Sequence, residues 1–454
     1  MKLIRGLRTK RAGKKRVVVI GIDGVPFTYV QRLFAAGELP NLRAIVDEGA
    51  MAQMDTSVPN VSSVAWASFM SGQNPGKHGI YGFVDRQPGS LKTFVPTSKN
   101  LRSPTLWEVL GKADKRVFSI NVPGTYPPRP ANGTVIGCFL SPSVEKAAPN
   151  AEVAADLKRL GYQIDADPWR ARQDKGAFLS HLDEVFEHRM KTVRHFWNQE
   201  PWDFFMAHIM ETDRLHHFFW EEMEDGHPTY APAFLEFYRR LDAELGEIRG
   251  WLDEDTTLIV LSDHGFCSIK QEVHVNTWLQ ESGWLQFDSA EPKGLDAMAA
   301  SSAAYSLDPG RLFLNVKGRE PNGRIEPGAE YEKLRSELAD AAAALTDPAT
   351  GEAMVKRVFR REELYTGPFQ DLGADLVLDM HDGYDPKGAF GKPDVLFKGE
   401  SLTGMHTTPD ALVYIAGVAA IEGRPHIADV APTVCDLLGV PTPAEMDGRS
   451  LVSA

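Results

Sequence analysis

The pattern of apolar and polar positions along the chain predicts alternating strands and helices. Val17 to Ile22 is a short β-branched run ending in Gly21-Ile22-Asp23-Gly24, which reads as a buried parallel strand with an aspartate at its C-terminal tip. The same grammar returns twice: Asp203 to Met210 leads into Glu211-Thr212-Asp213, and Thr257 to Leu261 leads into Ser262-Asp263-His264-Gly265. Three predicted strands therefore end in carboxylates. Further strands are predicted at Val117 to Asn121, Asp375 to Asp379 and Ala411 to Ala416, and helical spacing recurs near 28–37, 105–112, 232–252, 331–345 and 427–438. This alternation implies an α/β fold, a mostly parallel central sheet with helices on both faces. In such sheets ligands bind beyond the carboxyl ends of the strands, where these acids sit.

Between the periodic segments lie stretches rich in Pro, Gly and charge, too long for ordinary connections. They divide the expectation into a basic flexible tail over 1–15 and a single catalytic domain over 16–454, with insertions capping the active face at roughly 84–104, 122–200, 265–330 and 380–405. No internal repeat is visible.

Composition narrows the class. With 454 residues, 43% hydrophobic, 24% charged and 9% aromatic, disorder, collagen-like repetition and a disulfide scaffold are excluded. Cys138, Cys267 and Cys435 are few, odd in number and far apart, which argues against a thiolate metal site. Eight of the 49 basic residues fall within the first sixteen positions, so the rest of the chain carries 41 bases against 62 acids, a net of −21. An acidic body of this kind is a poor binder of nucleic-acid backbone, and no specific nucleic-acid partner is expected. The basic tail reads as solvated, with room only for weak contact with an anionic membrane surface. No apolar stretch reaches the ~18 residues of a membrane span, and the cytoplasm is the default location.

The candidate chemistry lies at the strand ends. If a helix starts near Asp213, the i, i+4 spacing puts Asp213 and His217 on one face, where they can share a cation; a capping role for Asp213 and packing roles for His216 and His217 are the plainer alternative. Asp263-His264-Gly265 offers two consecutive ligands and a residue that lets the backbone turn around an ion. Asp23 adds a carboxylate from another strand, and His406, read as lying in a loop before the Ala411 strand, can close the set. Together they form an oxygen and nitrogen inventory large enough for two divalent cations, as phosphoryl transfer requires. Ser62, at the N-cap or first turn of a helix predicted from Val64 to Met70, offers a nucleophile where free N–H groups favour a phosphoryl group, with Ser63 as runner-up; without the metal inventory an ordinary serine cap would be the plainer reading.

These residues, in this order, resemble the alkaline phosphatase superfamily, most closely its type I phosphodiesterase/nucleotide pyrophosphatase branch. The motifs are Gly21-Ile22-Asp23-Gly24, Pro40-Asn41-Leu42, Ser62 with Trp66, Ser71-Gly72, Asn74-Pro75-Gly76-Lys77-His78-Gly79-Ile80, Asp213 to His217, Ser262-Asp263-His264-Gly265, and Gly404 with His406. Asp429-Val430-Ala431-Pro432-Thr433 followed by Leu437-Leu438-Gly439 extends the likeness towards the C-terminus. The resemblance implies that Asp213, His217 and His406 hold one ion, while Asp23, Asp263 and His264 hold the second with the oxygen of Ser62. It implies zinc at both, with manganese compatible with the same ligands, and a two-step hydrolysis through a phosphoseryl intermediate on Ser62. His78 is read as structural.

The implied substrate is a small phosphate ester or nucleotide-like molecule, with phosphomonoesterase, phosphoryl-transferring mutase or a non-catalytic metal-stabilised scaffold as alternatives. The chain departs from the family pattern at Phe83, where nucleotide pyrophosphatases place an asparagine. No arginine matches the phosphate clamp of phosphomonoesterases. Arg311, Lys317, Arg319 and His274, with Trp107, Tyr126 and Tyr305, can approach a substrate from the insertions, although surface charge or core packing accounts for them more simply.

Overall fold

The computed structural model describes residues 14–199 and 201–452. Its main sheet has seven strands: β1 (Arg16–Ile22), β2 (Gly49–Met54), β3 (Val117–Ile120), β4 (Gly133–Ile136), β5 (Phe204–Ile209), β6 (Thr256–Leu261) and β7 (Ala411–Ala416). They run in the order β2-β7-β6-β1-β5-β3-β4. Neighbours from β6 through β4 pair in parallel, while β7 lies antiparallel to both β6 and β2. The three carboxylate-ended strands β6, β1 and β5 are adjacent at the centre, so their acidic tips converge.

The period of two in β1 sorts its side chains onto opposite faces. Val18, Ile20 and Ile22 enter one core with residues of the Phe27–Ala35, Lys175–Gln199, Glu211–Glu224 and Tyr230–Trp251 helices. Val17 and Val19 enter the other with residues of the Ser62–Ser71, Leu106–Lys112 and Val430–Leu437 helices. The expected sheet between two helical layers is therefore present.

The segment 122–200, expected to cap the active face, is built differently. It supplies β4 to the main sheet, and its 25-residue helix Lys175–Gln199 packs on the sheet through Phe178, Leu182, Val185, Phe186, Met190 and Val193. Those residues recur at helical spacing and form one apolar stripe, which draws the helix into the core. The Asp375 to Asp379 run is a strand, Leu376–Met380, but it sits outside the main sheet. It joins Ala304–Leu307, Arg311–Leu314 and Val355–Arg360 in a four-stranded antiparallel sheet. A third core containing Val273, Leu279, Tyr305, Leu312, Leu338 and Val377 holds this sheet together with its neighbouring elements.

His406 lies on a short strand rather than in a loop. Gly404–Thr407 pairs antiparallel with Gly265–Ser268, placing His406 opposite Phe266 and Thr407 opposite Gly265. This ladder ties His406 to the segment that follows β6 and His264. Of the basic tail expected over 1–15, residues 1–13 lie outside the described residues, and Lys14 pairs with Asp203 at 2.7 Å. Among the described residues no helix is long and apolar enough to cross a membrane.

Candidate active site

Each converging carboxylate has one oxygen held by the protein and the other turned toward a common space. Asp23 Oδ2 accepts hydrogen bonds from Trp66 Nε1 at 3.0 Å and His208 Nε2 at 2.8 Å, while Oδ1 lies 3.4 Å from Ser62 Oγ and 3.5 Å from His264 Nε2. Asp263 Oδ1 accepts from the Gly24 amide at 3.1 Å; its Oδ2 is 3.4 Å from His264 Nε2 and has no hydrogen-bond partner. Asp213, in the first turn of the Glu211–Glu224 helix, accepts from Arg214 Nη1 at 3.1 Å through Oδ2. Its buried Oδ1 has no hydrogen-bond partner and stands 3.3 Å from the Nε2 atoms of both His217 and His406.

The histidines show the same division. The Nδ1 atoms of His217, His264 and His406 donate to the carbonyls of Gly404, Gly265 and Asn60 at 3.0, 3.1 and 2.9 Å. For His217 and His406 those bonds assign the tautomer and leave Nε2 as an acceptor facing Asp213, whereas His264 turns its Nε2 toward Asp23 and Asp263. His217 and His406 bring their Nε2 atoms to 3.1 Å. Two lone pairs and a free carboxylate oxygen crowded together inside the protein are an arrangement that a cation satisfies.

Two compact trios of donors result, with atoms within 4.8 Å of one another: Asp213 with His217 and His406, and Asp23 with Asp213 and His264. Asp213 thus borders both groups. Asp263 lies outside the second trio, but its unpartnered oxygen flanks His264. The donor set fits divalent cations of borderline hardness.

Local sequence explains the positions. Gly24 has φ +67, and a Cβ there would come within 2.8 Å of the Phe266 ring and 3.0 Å of His264, so this turn favours glycine. Gly21 leaves room for the Trp66 indole, whose Cη2 would otherwise sit 2.7 Å from a Cβ. Ser62 is the first residue of its helix, preceded by Val61 in an extended conformation; the Val64 amide bonds the Val61 carbonyl at 2.9 Å, while the amides of Ser62 and Ser63 have no intrahelical partner.

Burial penalises every charge here, and the neighbours decide the outcome. For Asp23 burial is outweighed by hydrogen bonds from His208 and His264, which hold it well below the usual carboxylate range. Burial and the adjacent Asp23 charge push Asp263 up to about 8. Burial opposes protonation of His264, but Asp263 and Asp23 prevail and raise it to about 9. His217 falls to about 4 through burial, and His406 is lowered by burial and by His264. Asp213 stays well below its ordinary value because His217, His406 and Arg214 outweigh its burial.

A family profile, type I phosphodiesterase / nucleotide pyrophosphatase, matches residues 17–408, most of the chain and all of the ligand cluster. The chain belongs to this family. It is by class a phosphoric ester hydrolase, and the two donor trios are candidate metal-binding groups. Solved structures share its fold. Phosphonoacetate hydrolase from Sinorhizobium meliloti 1021 is 18% identical with a TM-score of 0.63, covering 94% of this chain and 96% of that one. The alkaline phosphatase PafA is 14% identical with a TM-score of 0.59, covering 96% and 98%. Murine ectonucleotide pyrophosphatase/phosphodiesterase 5 is 14% identical with a TM-score of 0.54, covering 94% and 96%.

In this type I phosphodiesterase fold the two serine candidates separate. Ser62 Oγ is 3.2 Å from His264 Nε2, whereas Ser63 Oγ is buried without a partner and Ser63 lines a narrow apolar slot beneath Phe83. His216 turns away from the cluster, bonding the Gly24 carbonyl through Nδ1 at 3.0 Å and Tyr238 Oη through Nε2 at 2.8 Å. His78 is buried beside Ser68, 3.1 Å from its Oγ, and accepts from the Ile80 amide through Nδ1 at 3.2 Å. Arg311 and Arg319 are committed to Asp85 and Asp375 at 2.6 Å each, Lys317 pairs with Glu326, and Trp107 and Tyr305 are buried.

Sequence reasoning missed His208 and Arg214, which hold Asp23 and Asp213. The available signal for His208 was a lone polar residue inside the apolar run Phe204–Ile209. It also missed the cleft beside the cluster, about 350 Å³, into which His217 and His406 open. Lys356 and Lys387 line it, each facing a carboxylate: Lys356 Nζ is 4.0 Å from Asp379 and Lys387 Nζ is 2.5 Å from Asp385.

Proposed function

We propose that this protein hydrolyses phosphodiesters at a two-cation site, with Ser62 as the nucleophile and zinc as the favoured metal. The observation that carries this reading is the position of Ser62 Oγ, 3.4 Å from Asp23 Oδ1 and 3.2 Å from His264 Nε2, beside the free carboxylate oxygens and Nε2 atoms. Asp213, His217 and His406 would hold one ion, and Asp23, Asp263 and His264 the other. When bound, such ions supply Lewis-acid polarisation of phosphoryl oxygens and lower the pKa of a coordinated hydroxyl.

The chain's own groups do the rest. The free amides of the first helical turn at Ser62 and Ser63 donate to a phosphoryl oxygen placed over the serine. Ser62 Oγ attacks phosphorus, forming a phosphoseryl ester as the first alcohol leaves, and water then releases the second product. His208, Trp66, Arg214 and the Gly24 amide keep the carboxylates aimed. A diester is favoured over a dianionic monoester because each cleft lysine already faces an aspartate, leaving little positive charge for the extra negative one.

Turnover of bis(p-nitrophenyl) phosphate by the metal-loaded chain tests the reading. Chelation should abolish it, and Ser62→Ala should reduce it by about three orders of magnitude or more while metal content persists. Ser63→Ala should stay within a few-fold of the parent. Full activity in Ser62→Ala would rule the mechanism out.

A further inference from the structure

We propose that the diester accepted by this site carries an amine-bearing, cationic substituent, received in the cleft lined by Phe83 and the carboxylates Asp308 and Asp382. The inference rests on the phosphodiesterase reading and adds the class of alcohol to it.

The cleft begins at His217 and His406, so a group attached to a phosphoryl centre over Ser62 has its exit there. At that inner end stands Asp213, 4% exposed, whose Oδ1 has no hydrogen-bond partner and lies against both histidines. Part of the lining is apolar and includes Val58, Pro59, Val61 and Phe83. Phe83 is 40% exposed and its ring stacks on Phe139 with centroids 6.1 Å apart and planes at 11°. This stacking fixes the ring and leaves the residue accessible at the cleft, a surface suited to alkyl or cationic groups.

Acidic residues also line it. Four aspartates line the cleft against two lysines. Lys387 is matched by Asp385 at 2.5 Å, and the charge of Asp308 also acts on it. Lys356 faces Asp379 at 4.0 Å. Asp308 and Asp382 are both exposed; Arg311 donates to the Asp308 backbone carbonyl at 2.8 and 2.5 Å and the Gly388 amide donates to its carboxylate, but among the described residues neither carboxylate forms an ion pair within 4 Å. An ammonium group finds carboxylates and an aromatic side chain here. A second phosphate or a carboxylate finds excess negative charge and no free cation to offset it.

Three diesters of p-nitrophenyl phosphate isolate the effect because they share one leaving group. Their second substituents are 2-aminoethyl, phenyl and 2-carboxyethyl, the first and last being similar in size and opposite in charge. With the full-length metal-loaded protein at low salt, kcat/KM for the 2-aminoethyl ester should exceed that for the 2-carboxyethyl ester by about tenfold or more, and the ratio should shrink as salt rises. Asp382→Lys, a change at an exposed position, should collapse or invert the ratio. Equal or better turnover of the 2-carboxyethyl ester overturns the inference, as does a ratio that neither salt nor Asp382→Lys alters. If the phenyl ester is hydrolysed in those cases, the phosphodiesterase reading survives. If no ester is hydrolysed, both fail together.

Discussion

His208 donates from Nε2 to Asp23 Oδ2 at 2.8 Å, with both side chains fully buried. With Trp66 Nε1 on the same oxygen, this bond fixes which carboxylate oxygen of Asp23 faces Ser62. His208→Phe removes the bond and should weaken metal retention about 10–100-fold, the usual effect of losing a group that orients a ligand. His208→Gln, whose amide can donate from a similar point, should recover part of the loss. Chelator competition measures both, and unchanged affinity in the phenylalanine variant contradicts the role.

Gly21 gives Trp66 its place. A methyl group at this position would stand 2.7 Å from Trp66 Cη2 and 3.2 Å from His208 Cδ2. Gly21→Ala should therefore displace both groups that hold Asp23 and cost about 1–3 kcal/mol through overpacking. A lowered melting temperature together with reduced metal affinity is the expected pairing.

Away from the cluster, Arg189 and Glu211 form an ion pair at 2.8 Å with side-chain exposures of 0% and 1%. Glu211 opens the helix that carries Asp213 and His217. Arg189→Met leaves a buried carboxylate without its partner and should destabilise the protein by about 3–5 kcal/mol. Adding Glu211→Gln should restore much of that loss. Denaturant unfolding of the single and double variants measures the difference.

Protons and cations compete unequally at the two ends of the site. Asp263 is pushed up to about 8 and His264 to about 9, so both retain protons at neutral pH in the metal-free protein. Their folded values lie above the ordinary values of 3.8 and 6.5. The folded state therefore binds more protons, and its stability falls as pH rises. The His264 contribution is complete below about 6.5 and is lost as pH rises through about 9; the Asp263 contribution is lost from about 4 to about 8. The melting temperature of the metal-free protein should decline from about pH 6.5 to 9. Metal affinity at the Asp23, Asp263 and His264 end should rise over the same window as those protons are released. At the other end His217 is already near 4, and Asp213 and His406 are also lowered, so affinity there should level off above about pH 6. Calorimetry of the metal-free chain and zinc titrations across pH provide the checks; a melting temperature that climbs from pH 6.5 to 9 contradicts the assignment.

The cluster is legible in the chain where acids follow apolar runs. Asp23 and Asp263 are marked by the strands that precede them, and His217 by its i, i+4 relation to Asp213 on a helix that starts at Glu211. His406 is legible as a residue, but its strand is not. Gly404–Thr407 has only four residues and gains its conformation from pairing with Gly265–Ser268, a long-range contact without a local signal. The same limit hides the second sheet, where the Ala304–Leu307 and Arg311–Leu314 hairpin joins the distant Leu376–Met380 strand over one shared core. It also hides the cleft, whose wall joins Val58 and Phe83 to Lys356 and Lys387 across hundreds of residues. The 122–200 segment misleads because Pro and Gly near its start mask the apolar stripe of the Lys175–Gln199 helix.

The most direct measurement is anomalous diffraction at the zinc edge from crystals of the zinc-loaded protein. The account predicts two peaks about 4 Å apart, one bounded by Asp213, His217 and His406 and the other by Asp23, Asp263 and His264 with Ser62 Oγ beside it. A single peak, or zinc bound away from Ser62, would contradict it.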